Sequence, residues 1–166
     1  TAAPFSQPTL SHVTLVGSED IDKDNFAILL RRGTAGYLHN VAALGFTTGC
    51  LAVRDQATFD HFAAGEAAFA HARFGCGNPF EVDKEESETM TEEEVFAAGT
   101  DNQNVADLKL ANPFNQTAPD FRPLSGSTLL TGGAAPSDSF FTAATYIGAF
   151  DQTTDSLEAV RDNMGT

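Results

Sequence analysis

The residues of this chain best suited to chemistry are the alternating carboxylates of Asp20-Ile21-Asp22-Lys23-Asp24-Asn25. Asp20, Asp22 and Asp24 can converge on a hard cation, and calcium, which takes oxygen ligands, is the one cofactor they suggest. Their spacing opens an EF-hand loop, but Asn25 stands where the invariant Gly belongs and Arg31 where the closing Glu belongs, so an EF-hand is rejected. A looser calcium site in a turn is the expectation that remains, beside a plain hydrophilic turn. Cys50 and Cys76 are the only cysteines. If they occupy neighbouring tiers of a repeating fold, about 4.8 Å apart, a disulfide is feasible and implies an oxidising compartment. Zinc-ribbon and haem-attachment spacings are missing, as are GxSxG, GxGxxG, P-loop and HExxH motifs. Acid–base candidates are Arg31, Arg32, Arg54, Asp55, His61, His71 and Arg73, all at expected strand ends or turns. A column of His12, His39 and His71 is the transition-metal candidate.

The elements that must position these groups repeat. Ser11-His12-Val13-Thr14-Leu15-Val16-Gly17, His39-Asn40-Val41-Ala42-Ala43-Leu44-Gly45 and His71-Ala72-Arg73-Phe74-Gly75 are degraded copies of one phrase, recurring roughly every thirty residues. A second series, Ala27–Gly33 and Cys50–Asp55, runs between them. Units of this length cannot bury their apolar faces alone and must stack, which predicts an all-β parallel solenoid. Strands are expected near 11–16, 26–32, 37–44, 50–54 and 67–74. Thr58 should cap a short helix stopping at Gly65; a single helix over 58–74 is the competing reading.

Residues 80–110 read as an acidic excursion from the repeat. Residues 81–94 alone carry half of the net charge of −14, a pattern usual for a solvated face. Within it Thr91-Glu92-Glu93-Glu94 matches a capping box and predicts a helix over 92–98. Residues 111–166 form a closing wrap, irregular at first and ending in a helix capped near Asp155, so that 1–166 is one domain. The 14 Phe residues, with no Trp, are expected to fill the interior.

Two phrases of the wrap carry a family resemblance. Asp120-Phe121-Arg122-Pro123-Leu124-Ser125-Gly126-Ser127-Thr128-Leu129-Leu130-Thr131-Gly132-Gly133, followed by Tyr146-Ile147-Gly148-Ala149-Phe150-Asp151, resembles the end of secreted bacterial right-handed parallel β-helix proteins. Thr128 and Thr131 depart from the usual Pro and Asp. The resemblance implies a right-handed coil and a secreted or cell-surface location, but no single activity.

With 23 acidic against 9 basic residues, the chain repels phosphate backbones, and nucleic acid is excluded as a partner. No apolar run is long enough to span a bilayer. The first residues, Thr1-Ala2-Ala3-Pro4, lack an initiator Met and suggest a piece of something longer. The expected function is an extracellular or cell-surface structural and binding module that associates with itself or with other surface proteins. The alternative is a polysaccharide lyase or glycoside hydrolase, with a polysaccharide as partner.

Overall fold

The computed structural model describes residues 6–19, 25–81 and 88–153. Its order is β1 (Thr9–Val16), β2 (Phe26–Arg31), β3 (Gly36–Leu44), β4 (Gly49–Arg54), α1 (Gln56–Ala63), β5 (Ala67–Ala70), β6 (Arg73–Gly75), α2 (Glu92–Ala97), β7 (Gln103–Asn104), β8 (Leu110–Asn112) and β9 (Asp120–Pro123). One sheet stacks β1, β3, then β5 and β6 on the far side of β3, then β7; a second pairs β2 with β4. All of these pairings are parallel. The strand runs read from the sequence are therefore present, and residues 58–74 are a helix followed by strands.

The register explains why the repeat carries structure. Leu10, Leu38 and Phe69 fall in one column, Val13 beside Val41, and Leu15 and Ala43 beside Phe74. Across the interior, Ile28 stacks on Leu51 and Leu30 on Val53. With a side-chain period of two, these columns face one another and form the main core, joined by Phe59, Phe96 and the buried Phe69 and Phe74. Phe rings fill this space as expected: Phe74 stacks on Phe96 with centroids 4.4 Å apart.

The histidine column is one residue out of step. Ser11 pairs with His39 and Val13 with Val41, so Asn40 rather than His39 lies beside His12, and by the same count beside His71 and then Asp101. These four share a left-handed backbone, with φ of 58°, 53°, 56° and 50°. They form a column of bends, made by residue types that enter this region more readily than most. The three histidines, the transition-metal candidate of the sequence, therefore do not form one column, since Asn40 takes the middle place. A second bend column joins Arg32 (φ 61°) to Asp55 (φ 69°).

Asp55, and not Thr58, caps α1: its side chain accepts the Thr58 amide, while the buried Thr58 hydroxyl accepts the Gly33 amide. Gly65, at φ 73°, permits the turn out of the helix. At α2 the Thr91 side chain accepts the Glu94 amide and the Glu94 carboxylate accepts the Thr91 amide, as the capping-box pattern requires.

The closing segment covers the outer face of the larger sheet. Ala42 and Leu44, which point away from the main core, are buried with Leu108, Leu110, Leu129 and Ile147 in a second core. For that reason β3 is buried on both faces over residues 40–44. The phrase around Ile147 makes the contact: Gly148 donates to Asn40 O at 2.9 Å and Ala149 to Thr14 Oγ1 at 2.9 Å. A Cβ on Gly148 would lie 2.7 Å from Thr14 Oγ1, so the approach requires glycine there.

Candidate functional site

Asp20, Asp22 and Asp24 lie outside the described residues, as does the helix expected after Asp155. Among the described residues no group of three or more His, Cys, Asp or Glu side chains is placed to hold a metal ion.

Cys50 and Cys76 are joined by a disulfide, with Cα atoms 5.6 Å apart. The two are not stacked equivalents. Leu51 is bridged to Phe80, which places Pro79 over Cys50, while Cys76 follows the end of β6. The bond thus ties the larger sheet to the smaller one across the corner between them.

The acid–base candidates are brought into structural pairs rather than into one site. Arg54 pairs with Glu81 at 2.7 Å and His61 with Glu66 at 2.6 Å. Asp55 accepts the Arg32 amide as well as capping α1, and these hydrogen bonds hold its carboxyl below its usual range against the opposing effect of burial. Arg73, buried at 3% exposure, donates through Nη1 to the carbonyls of Ala72 and Asp101 and through Nη2 to Asp101 Oδ2 at 2.9 Å. The Arg73 hydrogen bond is the main cause of the lowered Asp101 pKa. His71 Nδ1 stands 3.6 Å from the same carboxylate. The His39 pKa is lowered by burial first and by the nearby His71 second. This charged strip on the outer sheet face is roofed by the closing segment, since a Cβ on Gly132 would lie 3.2 Å from both Arg73 Nη2 and Asp101 Oδ2.

The acidic excursion is not wholly a solvated face. Glu92 Oε1 accepts the Val53 amide at 3.0 Å and Glu88 Oε1 the Asp55 amide at 3.2 Å. Both carboxylates are buried. They satisfy backbone donors on the edge of β4, which among the described residues only the short stretch at Pro79–Glu81 pairs as a strand would. Burial raises the Glu92 pKa, and the neighbouring charges of Glu81 and Glu88 add to the rise while hydrogen bonds oppose it. Neither role was readable in the sequence: the partners lie more than thirty residues apart, and the only hint was a capping box placed directly after the acids.

A pH dependence follows. Because the folded state raises the Glu92 pKa above its ordinary 4.5, the folded protein binds more protons than the unfolded chain in that window, and stability falls as pH rises through it. Glu92→Gln keeps an acceptor for Val53 and removes the ionisation. The variant should be more stable than the parent at pH 8, and the gain should vanish as pH falls below 4.5. Glu92→Ala, which orphans the amide, should lose roughly 1–3 kcal/mol. Urea titrations across pH check both; a pH-independent difference for Glu92→Gln contradicts the assignment.

The remaining feature is an open strand. Among the described residues β1 pairs with no strand but β3, and β2 with none but β4. Ser6 and Pro8 extend the same one-sided pairing, their carbonyls accepting the amides of Ala35 and Tyr37. Leu10, in a core-directed column, is left 48% exposed at this edge. No charged residue except His12, when protonated, occurs in the first eighteen positions.

A family model described as a pectate-lyase-like beta helix domain matches residues 1–117. That span contains the stacked parallel strands, both bend columns, the disulfide and α2. No curated protein and no solved structure matches the chain. On the family match, which covers more than half of its length, the chain belongs to the pectate-lyase-like beta helix domain family.

Proposed function

We propose that this chain is a secreted or cell-surface structural and binding module of bacterial type, coiled as a right-handed parallel solenoid, that associates with a second copy of itself through β1. The observation that carries this reading is the eight-residue β1 edge, paired among the described residues on one side only and free of acids in a chain of net charge −14. Unpaired strand edges are templates for another strand, and proteins that stay monomeric blunt them with charges, Pro or short length. Within β1 none of these is present. Elsewhere the acidic surfaces of two copies repel, so the uncharged edge is the approach of least electrostatic cost. Two β1 strands related by a two-fold axis pair antiparallel, which closes the assembly as a dimer. The disulfide supports an oxidising, extracellular setting.

The expected result is a dimer of the 17.5 kDa chain in light scattering at micromolar concentration, strengthened by salt as repulsion between the acidic bodies is screened. Leu10→Lys puts a charge at the edge and should return a folded monomer. A stable monomer at high micromolar concentration, together with turnover of an anionic polysaccharide, overturns the proposal in favour of a lyase.

A further inference from the structure

Beyond the ends of β3 and β6, where the chain turns from the larger sheet toward the smaller, lies a cavity of about 650 Å³, within the range of small-ligand sites. Its floor is Leu44 and Leu108 of the second core, and its polar and aromatic groups are Glu19, Phe46, Thr47, Asn78, Asp107 and Phe114. The Phe114 ring rests against the backbone of Gly45: a Cβ there would collide with Phe114 Cε1, and φ is 75°. Gly45 thus makes room for an aromatic wall that keeps 37% of its surface exposed.

Among the described residues the lining holds two carboxylates and two phenyl rings and neither Lys nor Arg. Lys109, two positions from Asp107, is not part of the lining, and its Nζ lies 3.4 Å from where a Gly126 Cβ would stand. We infer that this cavity binds an alkylammonium group, as carried by a lysine side chain or an amine. Phenyl faces attract a cation through the ring quadrupole, and the exposed carboxylates of Glu19 and Asp107 supply opposite charge at the rim. Anions are repelled by the same lining and by the acidic chain as a whole. A neutral alcohol of the same shape makes the apolar contacts and forgoes the charge. The site does not depend on pairing through β1.

Amide NMR titrations with n-butylammonium, butan-1-ol and butyrate test it on the intact chain. Saturable shifts at Gly77, Asn78, Asp107 and Phe114 are expected with n-butylammonium alone, weakening with salt. Asp107→Asn and Phe114→Ala should each weaken binding roughly tenfold. Gly77→Leu should abolish it by filling the cavity; a Cβ at Gly77 meets no atom within 4 Å, so the fold should tolerate it, as a dispersed spectrum would show. An absence of saturable shifts, an equal response to butan-1-ol, or parent-like binding in well-folded Gly77→Leu each overturns the assignment.

Discussion

Replacing Asn40 with leucine should detach the closing segment from the sheet and destabilise the protein by roughly 4 kcal/mol. The buried Asn40 amide is the joint between them: its Nδ2 donates to Ala134 O at 2.8 Å and its Oδ1 accepts the Ala134 amide at 3.0 Å. Its backbone carbonyl accepts Gly148 at 2.9 Å. Leucine would leave both polar groups of Ala134 without these partners and would force a branched side chain into φ 53°, where only a few residue types are tolerated. The two costs are separable. Asn40→Gly relieves the backbone and loses only the side-chain bonds, so it should recover part of the loss. Asn40→Asp keeps the bend and the acceptor but turns a carboxylate oxygen toward the Ala134 carbonyl. We expect stability in the order Asn, Gly, Leu in urea unfolding, with amide exchange at Ala134 and Gly148 accelerating before that of the main core. A leucine variant within about 1 kcal/mol of the parent contradicts the account, because holding leucine in the left-handed region alone costs about that much.

Removing the disulfide should cost about 3 kcal/mol in the chain-entropy account, given the 26-residue separation of Cys50 and Cys76. For a chain of this length that corresponds to a melting temperature lower by roughly 6–12 °C. The double variant Cys50→Ala, Cys76→Ala is the cleaner test, since it leaves no buried thiols to react. Its denaturant slope should rise, because the cross-linked unfolded chain is more compact than the free one. Loss of a tie between two sheets should also loosen the corner at Asn78 and Pro79, whose carbonyls accept the Cys50 amide at 3.2 Å. Two titratable thiols per chain in denatured, non-reduced protein, or an unchanged melting temperature in the double variant, would refute this.

The stacked strands were legible because each repeat states its own pattern. Val13, Val41 and Leu15 alternate with polar or small residues at period two, and parallel pairing needs only that neighbouring copies agree. Short-range signals were equally readable. The Thr91 and Glu94 box is complete within four residues, and helix α2 begins where it says. The cap of α1 was misread by three residues because Thr58 and Asp55 are both good caps, and the Arg32 amide that draws Asp55 into place comes from the preceding repeat.

By itself, then, the sequence determined the repeat, the order of strands and helices as far as α2, and the chemical character of the chain: acidic, disulfide-capable and without a familiar catalytic motif. These depend on local periodicity and on composition, which act within one repeat. Tertiary structure alone decided which residues share a column, and a shift of one position put Asn40 where His39 had been expected. It also decided that Glu88 and Glu92 close the β4 edge, that Asp101 occupies Arg73, and that Gly45 and Phe114 shape a cavity. Each joins residues some thirty to seventy positions apart, and such partners are chosen by burial and by the need to satisfy every enclosed polar group, which no local window of sequence contains.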